Sequence, residues 1–524
     1  MILGRIVALA ALLLCAATPA FAAGPVVRID AGRIAGSSTG DVEAFLGIPY
    51  AAAPVGDLRW RAPQPVVRWA GVHSATAFAP ACMQSGVSMP GEAPPSISED
   101  CLHLNVWKPR RRAPQPAPVM VWIHGGGYTN GATSMPLYWG DRLARRGVVF
   151  VSLAYRLGPL GYLAHPELTA ESPAGGSGNY GLMDQIAALR WVQRNIAAFG
   201  GDPGNVTVLG QSAGAMSVSL LMASPHAAGL FDRAVGQSGG VFEPLQLAPN
   251  YQLHAAERDG VAYAHSIGAT SLAALRRLPA AQLLGGQARR VSHPVIEPAV
   301  LPLSPYEAYV AGRQNDVPVL VGSNAEEGNS LVDLQAIRAA TFEDDVKRAW
   351  GSLPPALGAA YPYTDDATAR RARSNFERDL RFGWDMWAWA RLQSGLSRQP
   401  AFYYRFSQRP SFPDASVRAG WGAAHFAELW YMFDHLDQEP WGWIKADHQL
   451  AEVMVRYWVN FARTGDPNGP GLPVWPRFEA QRGEVLELGT PMRRIPAPPD
   501  PQLSVFDAVY DAVRDARFGT PTKR

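Results

Sequence analysis

Lysine is scarce in this 524-residue chain: Lys108, Lys347, Lys445 and Lys523 are the only four, so arginine supplies most of the 47 basic residues. They face 45 acidic residues, a formal net charge of +2, and no excess of one sign is available to hold a nucleic acid or an acidic polymer. Cysteine is scarcer still, with three residues, which excludes a disulfide-dense scaffold. The 11 histidines are scattered, and no Cys-x-x-Cys or His-x-x-x-His pair offers metal-ligand spacing. Apolar runs long enough to span a membrane are missing, so no stable membrane insertion is expected. No internal repeat or low-complexity tract occurs; the 51 glycines and 45 prolines are spread without a period and mark turns between elements. What is present is a chain with 47% hydrophobic and 18% charged residues, enough to bury a large core.

The N-terminus carries its own signal. Arg5 precedes the apolar stretch Ile6 to Ala17, and Ala20-Phe21-Ala22 places small residues where a signal peptidase cuts. Residues 1–22 are read as a signal peptide and residues 23–524 as the mature protein, exported to a periplasm or secreted. An apolar stretch of roughly a dozen residues is too short for a bilayer core of about 30 Å. Cleavage removes Cys15 and leaves Cys82 and Cys101 for an oxidising compartment. One disulfide closing a 19-residue loop is the expectation, with two free buried thiols as the alternative.

Short β-type runs, Pro118 to Ile123, Val148 to Ala154, Val206 to Leu209, Val317 to Val321 and Ala401 to Phe406, alternate with helical stretches such as Met183 to Ala198 and Leu450 to Arg463. That alternation predicts an α/β protein with a mostly parallel sheet covered by helices. Val26 to Ile48 reads instead as an antiparallel hairpin turning near Gly36 to Gly40, an edge extension of the sheet. Between Gln335 and Gln399 a helical insertion over the sheet is expected. Its Arg370, Arg371, Arg373, Arg378 and Arg381 read as a solvated face and its Trp384, Trp387 and Trp389, beside Phe382, as packing.

Three segments match Gly-x-Ser-x-Gly, and context separates them. Gly36-Ser37-Ser38-Thr39-Gly40 falls in the hairpin, and Gly236-Gln237-Ser238-Gly239-Gly240 runs toward Pro244 with no helix-forming stretch behind it. Only Gly210-Gln211-Ser212-Ala213-Gly214 has a strand before it and a helix, Ala215 to Met222, after it. Small residues there let a strained turn raise the Ser212 hydroxyl over the sheet, at a helix N-terminus that favours an oxyanion. A neutral serine is a poor nucleophile and needs a base, a group to orient that base, and donors for the tetrahedral oxyanion. The glycines of His124-Gly125-Gly126-Gly127-Tyr128, directly after a strand, can turn backbone N–H groups toward a carbonyl. His425, in a small-residue loop after the Ala401 to Phe406 strand, is placed to be the base; His165 and His293, each before a proline, read as turn residues. Glu326-Glu327 follows the Val317 to Val321 strand and supplies the acid, one of the two carboxylates facing solvent. Nucleophile, acid, base is the chain order of an α/β-hydrolase.

Together these segments resemble the type-B carboxylesterase family, over nearly the whole mature chain. Further matching blocks are Phe45-Leu46-Gly47-Ile48-Pro49-Tyr50-Ala51, Ser98-Glu99-Asp100-Cys101-Leu102-His103-Leu104-Asn105, Asn179-Tyr180-Gly181-Leu182-Met183-Asp184-Gln185, Phe199-Gly200-Gly201-Asp202-Pro203 and Phe461-Ala462-Arg463-Thr464-Gly465-Asp466-Pro467-Asn468. The resemblance implies an α/β-hydrolase fold with helical insertions over the active site. It implies Ser212 as nucleophile, Glu327 as acid, His425 as base, and Gly126, Gly127 and Ala213 as oxyanion donors. It also implies the Cys82 to Cys101 disulfide, an Arg59 to Glu99 ion pair, and Ser238 as a buried second serine.

The chain departs from the family in ways that bear on substrate. Gln211 stands where many members have Glu, which removes a charge beside the nucleophile. The loop between Cys82 and Cys101 has no aromatic residue to hold a quaternary ammonium, so choline esters are not expected. Leu245 stands near where several members place a bulky tryptophan, which leaves room for a larger acyl group. The reading is an exported serine carboxylesterase acting on a small-molecule ester through an acyl-enzyme, with no cofactor or metal required. Its rivals are a lipase, an esterase for a bulky or carboxylated ester, and a non-catalytic adhesion relative.

Overall fold

The computed structural model describes residues 24–516 apart from 88, 90, 91, 112, 481 and 482. The expected signal peptide, residues 1–22, lies outside them. The main sheet has eleven strands: β1 Ser37–Thr39, β2 Val42–Pro49, β3 His103–Pro109, β4 Ala117–Ile123, β5 Val149–Leu153, β6 Gly201–Gln211, β7 Arg233–Gln237, β8 Val319–Asn324, β9 Ala401–Phe406, β10 Glu484–Leu488 and β11 Arg493–Pro496. Their spatial order is β11-β10-β9-β8-β7-β6-β4-β5-β3-β2-β1. The run from β10 to β5 is parallel throughout, and antiparallel pairs close both ends, β10 with β11 and β5-β3-β2-β1. The fold is that of an α/β-hydrolase with an antiparallel N-terminal extension.

Central strands read as unbroken apolar runs because both faces are covered. Successive residues of β4 point into opposite cores: Val119, Val121 and Ile123 join one, Met120 and Trp122 the other. The first core is closed by α1 (Tyr180–Asn195), α2 (Ala213–Ala223), α3 (Asp366–Arg378), α4 (Trp384–Leu396) and the terminal part of the chain around Phe506; the second by α5 (Lys445–Thr464) through Leu450, Met454, Trp458 and Phe461.

Two expectations need correction. Val26 to Ile48 is not one hairpin but two. Val26–Ile29 and Gly32–Ala35 pair with each other and with Val72–Ser74 in a separate three-stranded sheet, while β1 and β2 turn at Gly40, whose φ of 58° suits glycine. The arginines of the insertion are a solvated face only in part: Arg371 is exposed and Arg370 half-buried, but the others are drawn into ion pairs. Arg373 and Arg381 both pair with Glu377 at 2.7 Å, and Arg378 pairs with Asp379 at 2.7 Å and Asp500 at 3.0 Å. Arg373, Glu377, Arg378 and Asp379 are all buried, so these cations are already neutralised inside the protein. Trp384, Trp387 and Trp389 are buried in the core.

Candidate active site

Four loops leave the carboxyl ends of the parallel strands side by side, the edge where open α/β sheets place their ligands. The loop after β6 begins at Ser212, whose φ of 57° and ψ of −127° are unusual for a residue with a side chain and which serves as N-cap of α2. The flanking glycines make this turn possible. A Cβ on Gly214 would run into the carbonyl of Ile123 at the end of β4, and one on Gly210 into Gly214 itself. Gly239, after β7, lies so close that its Cβ would strike the Ser212 carbonyl. Ser212 N–H donates to the Gln237 carbonyl at 2.9 Å, tying the turn to the neighbouring strand.

His425 and Glu327 meet beside this turn. His425 Nδ1 lies 2.6 Å from Glu327 Oε2, and the other carboxylate oxygen accepts the Asn324 N–H at 2.7 Å. Glu327 is fully buried and His425 nearly so. A carboxylate facing Nδ1 requires Nδ1 to carry the proton, which leaves Nε2 as an acceptor. Glu326 goes elsewhere: it accepts the Ala423 N–H at 2.9 Å and pairs with Arg409 at 3.2 Å, holding the loop that carries His425 and not the imidazole. A further carboxyl, Glu428, sits behind the pair and accepts from Asn324 Nδ2 at 2.5 Å and Gln237 Nε2 at 3.3 Å. Burial first, and then the nearby Glu327 charge, push it up to about 8.

The glycine loop after β4 lies against the turn at Ser212, since a Cβ on Gly125 would be 2.7 Å from the Gln211 carbonyl and 2.9 Å from Ser212 Cβ. Gly126 and Gly127 have φ of 108° and 61°. Among the described residues, the N–H groups of Gly126, Gly127 and Ala213 meet no protein acceptor. His124 anchors the loop: its carbonyl accepts the Tyr155 hydroxyl at 2.8 Å, and its ring stacks on Tyr155. Burial pushes the His124 imidazole down to about 4, so it is neutral and adds no charge here. Gln84 braces the other end, donating to the Gly131 carbonyl at 2.8 Å and accepting the Gly131 N–H at 2.9 Å. Gln84 lies within the loop closed by the Cys82–Cys101 disulfide, and Arg59 binds Glu99 through two contacts of 2.6 Å.

Two residues at the site were given no place there from sequence, Phe382 having been read only as one of the insertion's aromatic group. Phe382 stacks flat on the His425 ring, with centroids 4.4 Å apart and planes 4° from parallel. Asn324 donates to both carboxyl-bearing side chains. The Phe382–His425 and Asn324–Glu428 contacts have no local signal, because they join elements far apart in the chain. Ser238 is fully buried, also at positive φ, and its hydroxyl has no partner; Ser37 to Thr39 is a surface strand remote from these loops. Among the described residues no cluster of His, Cys, Asp and Glu could hold a metal ion, and no helix is long and apolar enough to cross a membrane.

The model of the carboxylesterase family matches residues 23–503. The chain belongs to the carboxylesterase family. Among family members, the fumonisin B1 esterase of Sphingopyxis macrogoltabida is 38% identical over 475 residues, covering 86% of this chain and 84% of that protein. The para-nitrobenzyl esterase of Bacillus subtilis (strain 168) is 34% identical over 485 residues, 88% of this chain and 94% of that one. A solved PNB esterase structure superimposes with a TM-score of 0.78 at 32% identity, over 92% of this chain and 99% of the other, and a thermophilic PNB esterase reaches 0.80 at 31%. As a carboxylesterase, the protein is an ester hydrolase.

Proposed function

We propose that this carboxylesterase is exported and works through a Ser-His-Glu triad. His425 Nε2 takes the Ser212 proton as Oγ attacks the ester carbonyl, while Glu327 orients the ring and stabilises the imidazolium. Gly126, Gly127 and Ala213 N–H groups receive the oxyanion. The imidazolium then protonates the departing alcohol, and a water activated by the same His425 resolves the acyl-enzyme. The observation that carries this reading is the 2.6 Å contact between His425 Nδ1 and Glu327 Oε2 beside a serine held at positive φ. Export rests on the sequence of residues 1–22 and on the disulfide, which suits an oxidising compartment.

Hydrolysis of para-nitrophenyl acetate, butyrate and octanoate by wild type and Ser212→Ala tests the reading. Wild type should turn over, and the variant should lose on the order of 10³-fold or more in kcat. Activity retained in Ser212→Ala would overturn the assignment. Leu245, in place of a larger ring, should leave room for the octanoyl chain, which the longest ester measures. Fumonisin B1, the substrate named for the Sphingopyxis relative, belongs in the same assay as a bulky natural ester.

A further inference from the structure

We propose that Phe382 is a positioning residue for His425: its ring holds the plane of the imidazole, and its π face stabilises the imidazolium that forms in each half of the reaction. The inference rests on the triad reading above and deepens it. A 4° stack at 4.4 Å lays the two rings parallel and in contact, and an aromatic face attracts a cation lying over it.

The surroundings of His425 leave this role open. One ring edge is occupied by Glu327. Gln211 Nε2 lies 3.2 and 3.3 Å from the two ring nitrogens. An atom that near to both cannot lie in the ring plane without striking the carbon between them, so the amide sits over the ring and lends it no negative charge. The titratable groups around the ring are Glu327 and, three residues along the chain, Glu428, which stays protonated at neutral pH. The imidazolium therefore has one anion and two aromatic neighbours: Phe426, at 4.3 Å between centroids, is tilted 58° from the ring, so the parallel face is that of Phe382.

The backbone is built to deliver that face. Phe382 lies in a five-residue π-helical turn, Asp379–Gly383, set between α3 and α4. Such a turn re-aims the side chains that follow it and is frequent at functional sites. Its first residue is pinned by buried partners: Arg378 binds Asp379 at 2.7 and 2.8 Å, and the Tyr361 hydroxyl donates to Asp379 at 2.7 Å. Arg378 also binds Asp500, which pairs in turn with Arg405 of β9. At the other end, a Cβ on Gly383 would come within 2.7 Å of Asp379 Oδ1, so a larger residue there would have to displace the pinned carboxylate.

Phe382→Leu keeps an apolar side chain and removes the π face; Phe382→Met does so with a more adaptable shape, and Phe382→Tyr retains the face. Each is to be compared with wild type in kcat and KM on para-nitrophenyl butyrate, in the pH profile of kcat/KM, in the number of serines labelled by an organophosphonate, and in urea unfolding. The Leu and Met variants should label fully, keep KM within about twofold and lose roughly tenfold in kcat, while Tyr stays near wild type. The acid limb of kcat/KM should move to lower pH by up to about one unit, because loss of the π face disfavours the protonated ring. A purely space-filling role gives the opposite sign, since water admitted to the site favours the charged ring. Unchanged kcat in a folded Leu or Met variant, an acid limb that stays put or rises, or a Tyr variant as impaired as Leu would overturn the inference. If wild type itself neither turns over nor labels at Ser212, it is the triad reading that fails.

Discussion

Two carboxyls lie behind His425, and their hydrogen-bond partners set them apart. Glu327 faces the imidazole and a backbone N–H, whereas Glu428 has the side-chain amides of Asn324 and Gln237 and its own backbone N–H, with no cation among these partners. Held up to about 8 against an ordinary 4.5, Glu428 keeps a proton in the folded protein that the unfolded chain releases in that window. The unfolded state thus binds fewer protons between these values, and stability falls as pH rises from about 4.5 to about 8, then stops falling. The full swing is on the order of a few kcal/mol. Glu428→Gln removes the titration and keeps one oxygen to accept from Asn324 or Gln237, an offset that is the same at every pH. In urea unfolding at pH 5, 7 and 9, the variant should gain on wild type as pH rises and hold its lead above pH 8; parallel stability curves would show that Glu428 does not titrate there.

At the scale of elements, the glycine loop proposed to receive the oxyanion is held from both ends. His124 is fixed by Tyr155, and Gly131 is fixed by the two hydrogen bonds from Gln84. Gln84→Leu fills a similar volume and removes both bonds, leaving the Gly131 backbone groups buried and unpaired. A loss of about 1–3 kcal/mol in transition-state stabilisation follows, one to two decades in kcat with KM little changed. Steady-state kinetics beside organophosphonate labelling checks this; an unchanged kcat would mean that the glycines hold their own shape.

The same scale shows what the sequence made legible. The elbow, the glycine loop and the His425 loop each announce themselves within a few consecutive residues, because tight backbone contacts leave room only for glycine or alanine. Ala401–Phe406 occupies the positions its β-type residues suggest, while β6 extends from Gly201 to Gln211, well before Val206, across a register shift that propensity does not reveal. The short β7, with Gly236 packed under Trp389, and the C-terminal β10 and β11 carry too little pattern to stand out. The buried ion pairs around Arg373 and Arg378 were hidden for a related reason. A run of arginines gives no sign of its fate until Glu377, Asp379 and the distant Asp500 are brought beside it.

For the whole molecule, the segment between Arg59 and Cys101 lies outside the parallel sheet; besides the pairing of its Val72–Ser74 with Gly32–Ala35, three further fastenings matter here. The disulfide closes it, Gln84 locks it to the glycine loop, and Arg59 joins Glu99 while also donating to the Arg276 and Leu278 carbonyls at 2.9 and 2.6 Å. Because the last two fastenings are independent of sulfur, the disulfide acts chiefly on the unfolded chain, whose freedom it restricts across a separation of 19 residues. Replacing both cysteines, Cys82→Ser with Cys101→Ser, should therefore lower the unfolding free energy by about 3 kcal/mol. It should leave kcat at 25 °C within about threefold of wild type, since Gln84 and Arg59 still hold the folded segment in place. Urea unfolding and esterase kinetics on the same preparation separate the two effects. A kcat reduced as far as in Gln84→Leu would mean instead that the disulfide itself shapes the glycine loop.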